Sequence, residues 1–195
     1  FKKKAVRQAL YQAIDIEAIK KKVMRGLSEP AGIITFPGVN GYTKDLDKRL
    51  PYDVDAAKKL LADAGYPKGF DVELRCPNDR YVNDEAICTA VVGMLGKIGV
   101  NVNLFAQTKS KHFKELKEDK GDFYMLGWGV PTLDSHYVFH YLYESGASWN
   151  KVNFSNSEVD AAIRVMEGEV DLDKRNAAIA NAWKIVKDDI SYLPL

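Results

Sequence analysis

Long apolar runs are missing from this chain. No stretch approaches the eighteen or so consecutive apolar residues that a membrane-spanning helix needs, and the first residues show neither an apolar leader core nor a cleavage site, so targeting signals leave the compartment open. An excess of one charge is missing as well: 28 Lys and Arg stand against 27 Asp and Glu. Such a balance provides no net field to draw in nucleic acid or to hold an anionic membrane surface. The clusters Lys2 to Lys4 and Lys20 to Lys22 read as solvated runs. Cysteine is scarce, with Cys76 and Cys88 alone, and the absence of a CxxC pair excludes a structural zinc site of the usual spacing. Two buried thiols and one disulfide both fit a cysteine at the end of a strand and another in the first turns of the next helix. Catalytic signatures are equally lacking: there is no G-x-S-x-G elbow, no P-loop, and no G-x-G-x-x-G after a strand. The glycine-rich "GMLGKIG" at 93–99 lies inside and at the end of an amphipathic helix, and the pair Asp188 and Asp189 has no partner base. Neither an enzyme nor a bound cofactor is expected.

What is present is a strong alternation of helix and strand signals. Of the 195 residues, 46% are apolar, enough for a real core in a domain of ordinary size. Val6, Ala9, Leu10 and Ile14 form one helical stripe. A second follows an Asp15 cap with Ile16, Ile19, Val23 and Met24, stopping at Gly26. A third runs from Asp53 with Val54, Ala57, Leu60, Leu61 and Ala64, closed by Gly65 and Pro67. A fourth spans about Asp84 to Ile98, with Gly99 as its stop, and a short fifth surrounds Phe113 and Leu116. Between them, Phe70, Val72 and Leu74, and then Val100, Val102 and Leu104, alternate with polar residues as strands do. The run Asp122 to Leu126 predicts a third strand ending at Trp128. Helices return at Tyr137 to Tyr143, at Glu158 to Glu167 behind the S-x-x-D cap Ser157 to Asp160, and at Lys174 to Asp188. Helices alternating with strands over 53–128 predict an α/β layered sheet. The stretch 26–52 is long and irregular, a feature often tied to function. The closing "SYLPL" reads as the start of a strand that needs a pairing neighbour, so the chain looks cut within an element.

The segment "GWGVPTLDS", residues 127–135, sets a tryptophan where a strand should stop. Pro131 has no N–H and Gly129 is conformationally loose, so this segment cannot continue a sheet and must lie open at the strand's end. Ligands of open α/β sheets sit at the carboxyl ends of strands, which makes Trp128 a candidate binding wall.

Taken together, "VRQALYQAID" (6–15), "PYDVDAAKKLLADAGYPKGF" (51–70), "MLGKIGVNVNL" (94–104), "GDFYMLGWG" (121–129), "SNSEVDAAI" (155–163) and "YLPL" resemble the periplasmic oligopeptide and dipeptide solute-binding proteins of ABC importers, family 5 of the bacterial extracellular solute-binding proteins. The resemblance implies a type II periplasmic-binding-protein fold, with residues 1–195 as a single C-terminal ligand-binding lobe whose mixed sheet is flanked by helices. It implies a small-molecule or peptide ligand, the transmembrane subunits of an ABC permease as partner, a place peripheral to the membrane, and a periplasmic or cell-surface lipoprotein location. By the same resemblance the loop after the tryptophan touches ligand, which assigns Trp128, Gly129, Val130, Pro131 and Thr132 to the site. Arg80, in "CPNDRYVND", stands where dipeptide-binding members place an arginine that pairs with the ligand's carboxylate, a task suited to its planar fork. The aspartate that such members carry about three residues past the tryptophan is replaced by Val130 and Pro131, leaving Asp134 as a cation partner or as a helix cap. The arginine that oligopeptide binders place just before the tryptophan is also unmatched, Met125 standing there. Tyr42, in the irregular loop, is a further contact candidate.

His136 and His140, with Glu144 beyond, recur at helical i, i+4 and i+8. The spacing is open to metal chelation, and the resemblance extends to nickel and haem carriers that would use these two histidines. A packed or hydrogen-bonded histidine pair accounts for the same spacing, and no metal is assigned to the site.

Overall fold

In β1 (Phe70–Pro77) and β2 (Val100–Gln107) the alternation read from the sequence becomes two parallel strands in register, from Phe70 opposite Val100 to Pro77 opposite Gln107. Val72, Leu74, Val100 and Val102 are buried, while Asp71, Asn101 and Asn103 face water. A short third strand, β3 (Phe123–Tyr124), pairs with the other edge of β1, so the order is β2-β1-β3. All pairs are parallel, where a mixed sheet was expected. The reason is local: α4 (Asp84–Gly96) links β1 to β2 and α5 (Lys109–Lys117) links β2 to β3, and helical crossovers return the chain in its original direction. The computed structural model describes residues 1–195 in two units. Residues 1–30 and 50–127 hold the sheet, and residues 31–49 and 128–195 form a helical unit.

β3 is shorter than the run Asp122 to Leu126 suggested. Its ladder advances as far as the Met125 amide, which donates to Arg75 O at 2.9 Å. The next bond would need an N–H from residue 77, and Pro77 has none. His112, fully buried, takes the vacated role: its Nε2 meets Met125 O at 3.0 Å and must carry the proton, because a carbonyl only accepts. Nδ1 of the same ring is buried without a partner. Burial holds the imidazole's pKa below the ordinary value, against the pull of the Met125 carbonyl, so the ring stays neutral.

In the first unit, α1 (Lys4–Ala13) packs against α3 (Val54–Asp63), whose cap Asp53 accepts from the Ala56 amide at 2.8 Å. Asp15 caps α2 (Ile16–Ala18) as expected, and the helix continues over Ile19–Val23 as a wide π turn in which Met24 N bonds Ile19 O. Gly69, at φ +76°, is required where the turn into β1 passes the turn into β2, since a Cβ there would lie 1.8 Å from Gly99 O. Cys76 and Cys88 are joined as a disulfide, resolving the two possibilities in favour of the bond, and both sulfurs lie against Met125 Sδ. Arg75 stacks on Phe105 at 3.9 Å and pairs with Glu73 and Glu115.

The second unit is built from α6 (His136–Val138), extended by a π turn over Phe139–Tyr143, with α7 (Ser157–Gly168) and α8 (Leu172–Asp189) packed together. The cap of α7 is Asn156, not Ser157: its side chain accepts from the Glu158 and Val159 amides, Ser157 is already helical, and Asp160 turns to the Ser145 amide instead. Residues 191–195 form no strand. Pro194 cannot donate, and a single bond from the Ala31 amide to Leu195 O does not make a ladder.

Because His112 titrates at about 6.5 when free but lower when folded, the unfolded chain binds its proton first. Stability should be unaffected by this group above that pH and should fall as pH drops below it. Denaturant unfolding at pH 7 and pH 5 checks this: His112→Gln, which keeps an N–H donor, should lose less stability over that interval than the parent chain.

Candidate functional site

After Met125 the chain leaves the sheet and runs unpaired to Val130. Trp128 is half-buried, and its neighbours are rings: Tyr137 at 6.0 Å between centroids, Tyr141 at 5.9 Å and Trp149 at 6.0 Å, at interplanar angles of 40° to 65°. The indole therefore sits in an aromatic cluster. Its Nε1 is shielded from solvent and has no hydrogen-bond partner. A shielded donor left unpaired costs about 1–3 kcal/mol, so this one calls for an explanation. Trp183 gives the contrast within the same unit: it is fully buried, and its Nε1 donates to Ser135 Oγ at 3.0 Å.

Val130 is buried and pins the loop, while Gly129, Pro131 and Thr132 are exposed. A Cβ at Gly129 would meet nothing within 4 Å, so the surroundings of this residue are open. The amides of Trp128, Gly129 and Thr132 donate to no protein acceptor. The loop thus presents unspent N–H groups beside an aromatic wall, a combination suited to the carbonyls of an extended small ligand.

The helix that follows carries three different faces. Tyr137 and Tyr141, four residues apart with centroids at 4.8 Å, meet Trp128. Val138, Phe139, Leu142 and Tyr143 are buried, with Phe139 against Trp183 at 4.6 Å. His136 and His140 stack on each other and reach Glu167 of α7.

Asp134 joins the loop to the rest of its unit. Arg175 of α8 grips it through two bonds, at 2.8 and 2.9 Å, while Asn40 Nδ2 donates at 3.0 Å and the His136 amide at 2.9 Å. Of the two roles considered for it, the cap is present in the His136 bond, and the cation it pairs with is Arg175. Burial alone would raise its pKa; the hydrogen bonds from Arg175, Asn40 and the His136 amide outweigh that and hold it at about 2. Beside it, Ser135 Oγ donates to Asn40 O, and residues 40 and 134 form a parallel bridge. Gly41, at φ +91°, lets this segment approach so closely that a Cβ would lie 2.4 Å from Ile179. Tyr42 serves the same segment: its hydroxyl donates to Asp47, which also accepts from the Gly32 amide.

Arg80 belongs to the first unit. It is exposed and makes no ion pair, its guanidinium lying 5.2 Å from the Tyr81 ring, and its backbone amide and that of Tyr81 both donate to Asp84. Among the residues singled out by sequence, Trp128 to Thr132, Asp134 and Tyr42 all fall in the second unit. Tyr137, Tyr141, Trp149 and Arg175 were missed. The i, i+4 tyrosines lie in the helix expected over Tyr137 to Tyr143 but look like any amphipathic stripe; nothing local marks Trp149 or Arg175.

Comparison with known proteins bears on the whole chain. Residues 1–150 match the family described as "Bacterial extracellular solute-binding proteins, family 5 Middle". Heme-binding protein A of Haemophilus influenzae is 29% identical over 198 residues, covering 97% of this chain and 36% of that protein. The dipeptide-binding protein of Escherichia coli is 31% identical over 153 residues, covering 77% and 28% respectively. The oligopeptide-binding protein AppA of Bacillus subtilis, solved with a nonapeptide, superposes with a TM-score of 0.88 at 25% identity, covering all of this chain and 42% of that one. The chain thus spans well under half the length of these relatives.

A carboxylate held at about 2 stabilises the fold fully above about pH 4, and that contribution fades as pH falls toward 2. Its size is about 2 kcal/mol. Asp134→Asn should therefore unfold at lower denaturant near neutrality and show a flatter loss of stability between pH 4 and pH 2, measured by urea titration across that range.

Proposed function

The chain belongs to family 5 of the bacterial extracellular solute-binding proteins, and from that premise we propose that it is the C-terminal ligand-binding lobe of a two-lobed receptor. The receptor takes up peptides outside the cytoplasmic membrane, in the periplasm or as a surface lipoprotein, and passes them to the transmembrane subunits of an ABC permease. It binds and releases; it catalyses nothing. The observation that carries this reading is the half-buried Trp128, with its shielded, unpaired indole N–H, set among Tyr137, Tyr141 and Trp149.

Aromatic rings supply large contact area at little cost in conformational freedom, and the free amides of Trp128, Gly129 and Thr132 supply donors for peptide carbonyls. Val130 and Pro131 hold the shape of that loop. Arg80, exposed and unpaired, offers its fork to a ligand carboxylate. Asp134 and Tyr42 act one step back, holding the loop and its neighbouring segment. Peptide as ligand class is supported by the dipeptide- and oligopeptide-binding relatives. The Cys76–Cys88 disulfide suits an oxidising compartment outside the cytoplasm. Closure of two lobes about a hinge would exclude water from the ligand and complete its contacts.

Isothermal titration of the complete receptor with mixed di- to pentapeptides tests this. Trp128→Ala and Arg80→Ala should each weaken binding at least about tenfold, the loss expected for a buried aromatic anchor or a bidentate carboxylate partner. Wild-type affinity in both variants would remove the site assignment. Stoichiometric retention of haemin, abolished by His140→Ala, would replace peptide by haem as cargo.

A further inference from the structure

A cluster of side chains on a different face of the helix beyond Trp128 has no part in the proposed peptide site. We propose that His136, His140 and Glu167 form a binding site for a divalent transition ion of the zinc or nickel type, which ties α6 to the last turn of α7. One ring nitrogen from each histidine and one carboxylate oxygen of Glu167 all lie within 4.8 Å of one another. The two imidazoles stack at 5.5 Å between centroids with 24° between their planes. His136 Nε2 lies 3.3 Å and His140 Nδ1 3.8 Å from Glu167 Oε1. A tetrahedral ion with bonds of about 2.0–2.1 Å holds its ligand atoms about 3.3 Å apart. One histidine–Glu167 pair already has that span, the other needs a shift of about half an ångström, and the His136–His140 pair, within 4.8 Å, closes by up to about 1.5 Å through side-chain rotation.

The donors are also in an unusual state. His140 Nδ1 is shielded from solvent and satisfies no hydrogen bond, although Glu144 Oε2 approaches to 2.9 Å, because that approach lies off the direction a ring N–H would need. A shielded ring nitrogen with two carboxylates close by and no satisfied hydrogen bond is a place where a cation would complete the bonding. Glu144, one further helical step along, is placed to supply a fourth ligand. Two imidazoles with carboxylate oxygens suit zinc, nickel or copper; calcium and magnesium prefer oxygen alone. The ligands come from two separate helices, so the ion would act as a clip inside the second unit and leave the aromatic cluster open to peptide.

The complete protein, stripped with EDTA, should bind one equivalent of Zn2+ per chain by titration calorimetry. Co2+ in its place should give the intense visible bands of a four-coordinate site. His136→Ala, His140→Ala and Glu167→Gln should each weaken zinc binding on the order of a hundredfold, in line with the loss of a primary ligand where supporting groups alone are worth tenfold or more. Zinc should raise the melting temperature of the parent protein, reversibly with EDTA, and should leave that of the variants unmoved; melting in EDTA confirms that each variant is folded. Peptide should still bind the zinc-loaded protein. Zinc uptake that survives both His140→Ala and Glu167→Gln, or no uptake at micromolar zinc, overturns the site, as does zinc that competes with peptide. Loss of peptide binding in Trp128→Ala with zinc uptake intact separates a failure here from a failure of the peptide reading.

Discussion

The pair Asp134 and Arg175 is the constraint from which the rest of the second unit follows. Both groups give up water to meet, and the aspartate recovers that cost through four hydrogen bonds, two from the guanidinium and one each from Asn40 and the His136 amide. Removing any one donor leaves a partly buried charge under-satisfied, which makes the arrangement stiff. Three chain segments far apart in sequence meet at this carboxylate: the irregular segment 31–49, the loop after Trp128, and α8. Arg175 also donates through Nε to Met166 O, so α7 is held by the same side chain. A loop whose far end is fixed so firmly can leave its near end, Trp128 to Thr132, with unspent amides and open space.

Two of the three tryptophans of this unit, Trp128 and Trp183, show what the constraint separates. Trp183 has its ring fully buried against Phe139 and Tyr143 and its N–H bonded to Ser135, whose hydroxyl passes the chain of bonds to Asn40. The indole donor there is spent on the fold. Trp128 has comparable ring contacts, yet its N–H is shielded and unspent. An evolved core seldom tolerates an orphan donor, because the protein gains about a kilocalorie or more by satisfying it. The fold spends the donor of Trp183 and leaves that of Trp128 unspent.

Legibility from sequence followed how local the determining physics is. The helices and both long strands were readable because periodicity and caps such as Asp15 and Asp53 act within a turn or two. The end of β3 was not, because it depends on Pro77 of a neighbouring strand and on His112 of a helix, neither of which marks the run Asp122 to Leu126 itself. The cap of α7 was misplaced by one residue for a similar reason: Asn156 and Ser157 are both good caps, and Asp160, needed for the box, is spent on Ser145. That the sheet pattern is broken at Trp128 was legible, because a Trp-Gly pair followed closely by Pro131 cannot continue a strand. Its companions Tyr137 and Tyr141 look like any amphipathic stripe, and Trp149 reaches the cluster only through the fold.

The helix from His136 to Tyr143 places three kinds of chemistry one residue apart. Its core face anchors it, its tyrosine face meets Trp128, and its histidine face meets α7. Residues on a single rigid element cannot move independently, so an ion clipped between His140 and Glu167 would restrain Tyr137 and Tyr141 as well. Binding linkage is reciprocal: if the ion holds the helix in the orientation that a peptide prefers, the peptide must favour the ion by the same factor. The wide π turn over Phe139–Tyr143, closed by Glu144 N bonding Phe139 O, is where this helix departs from the regular ladder. His140 and Tyr141 stand side by side in that turn, one facing α7 and the other Trp128, so any coupling between the two faces runs through this step.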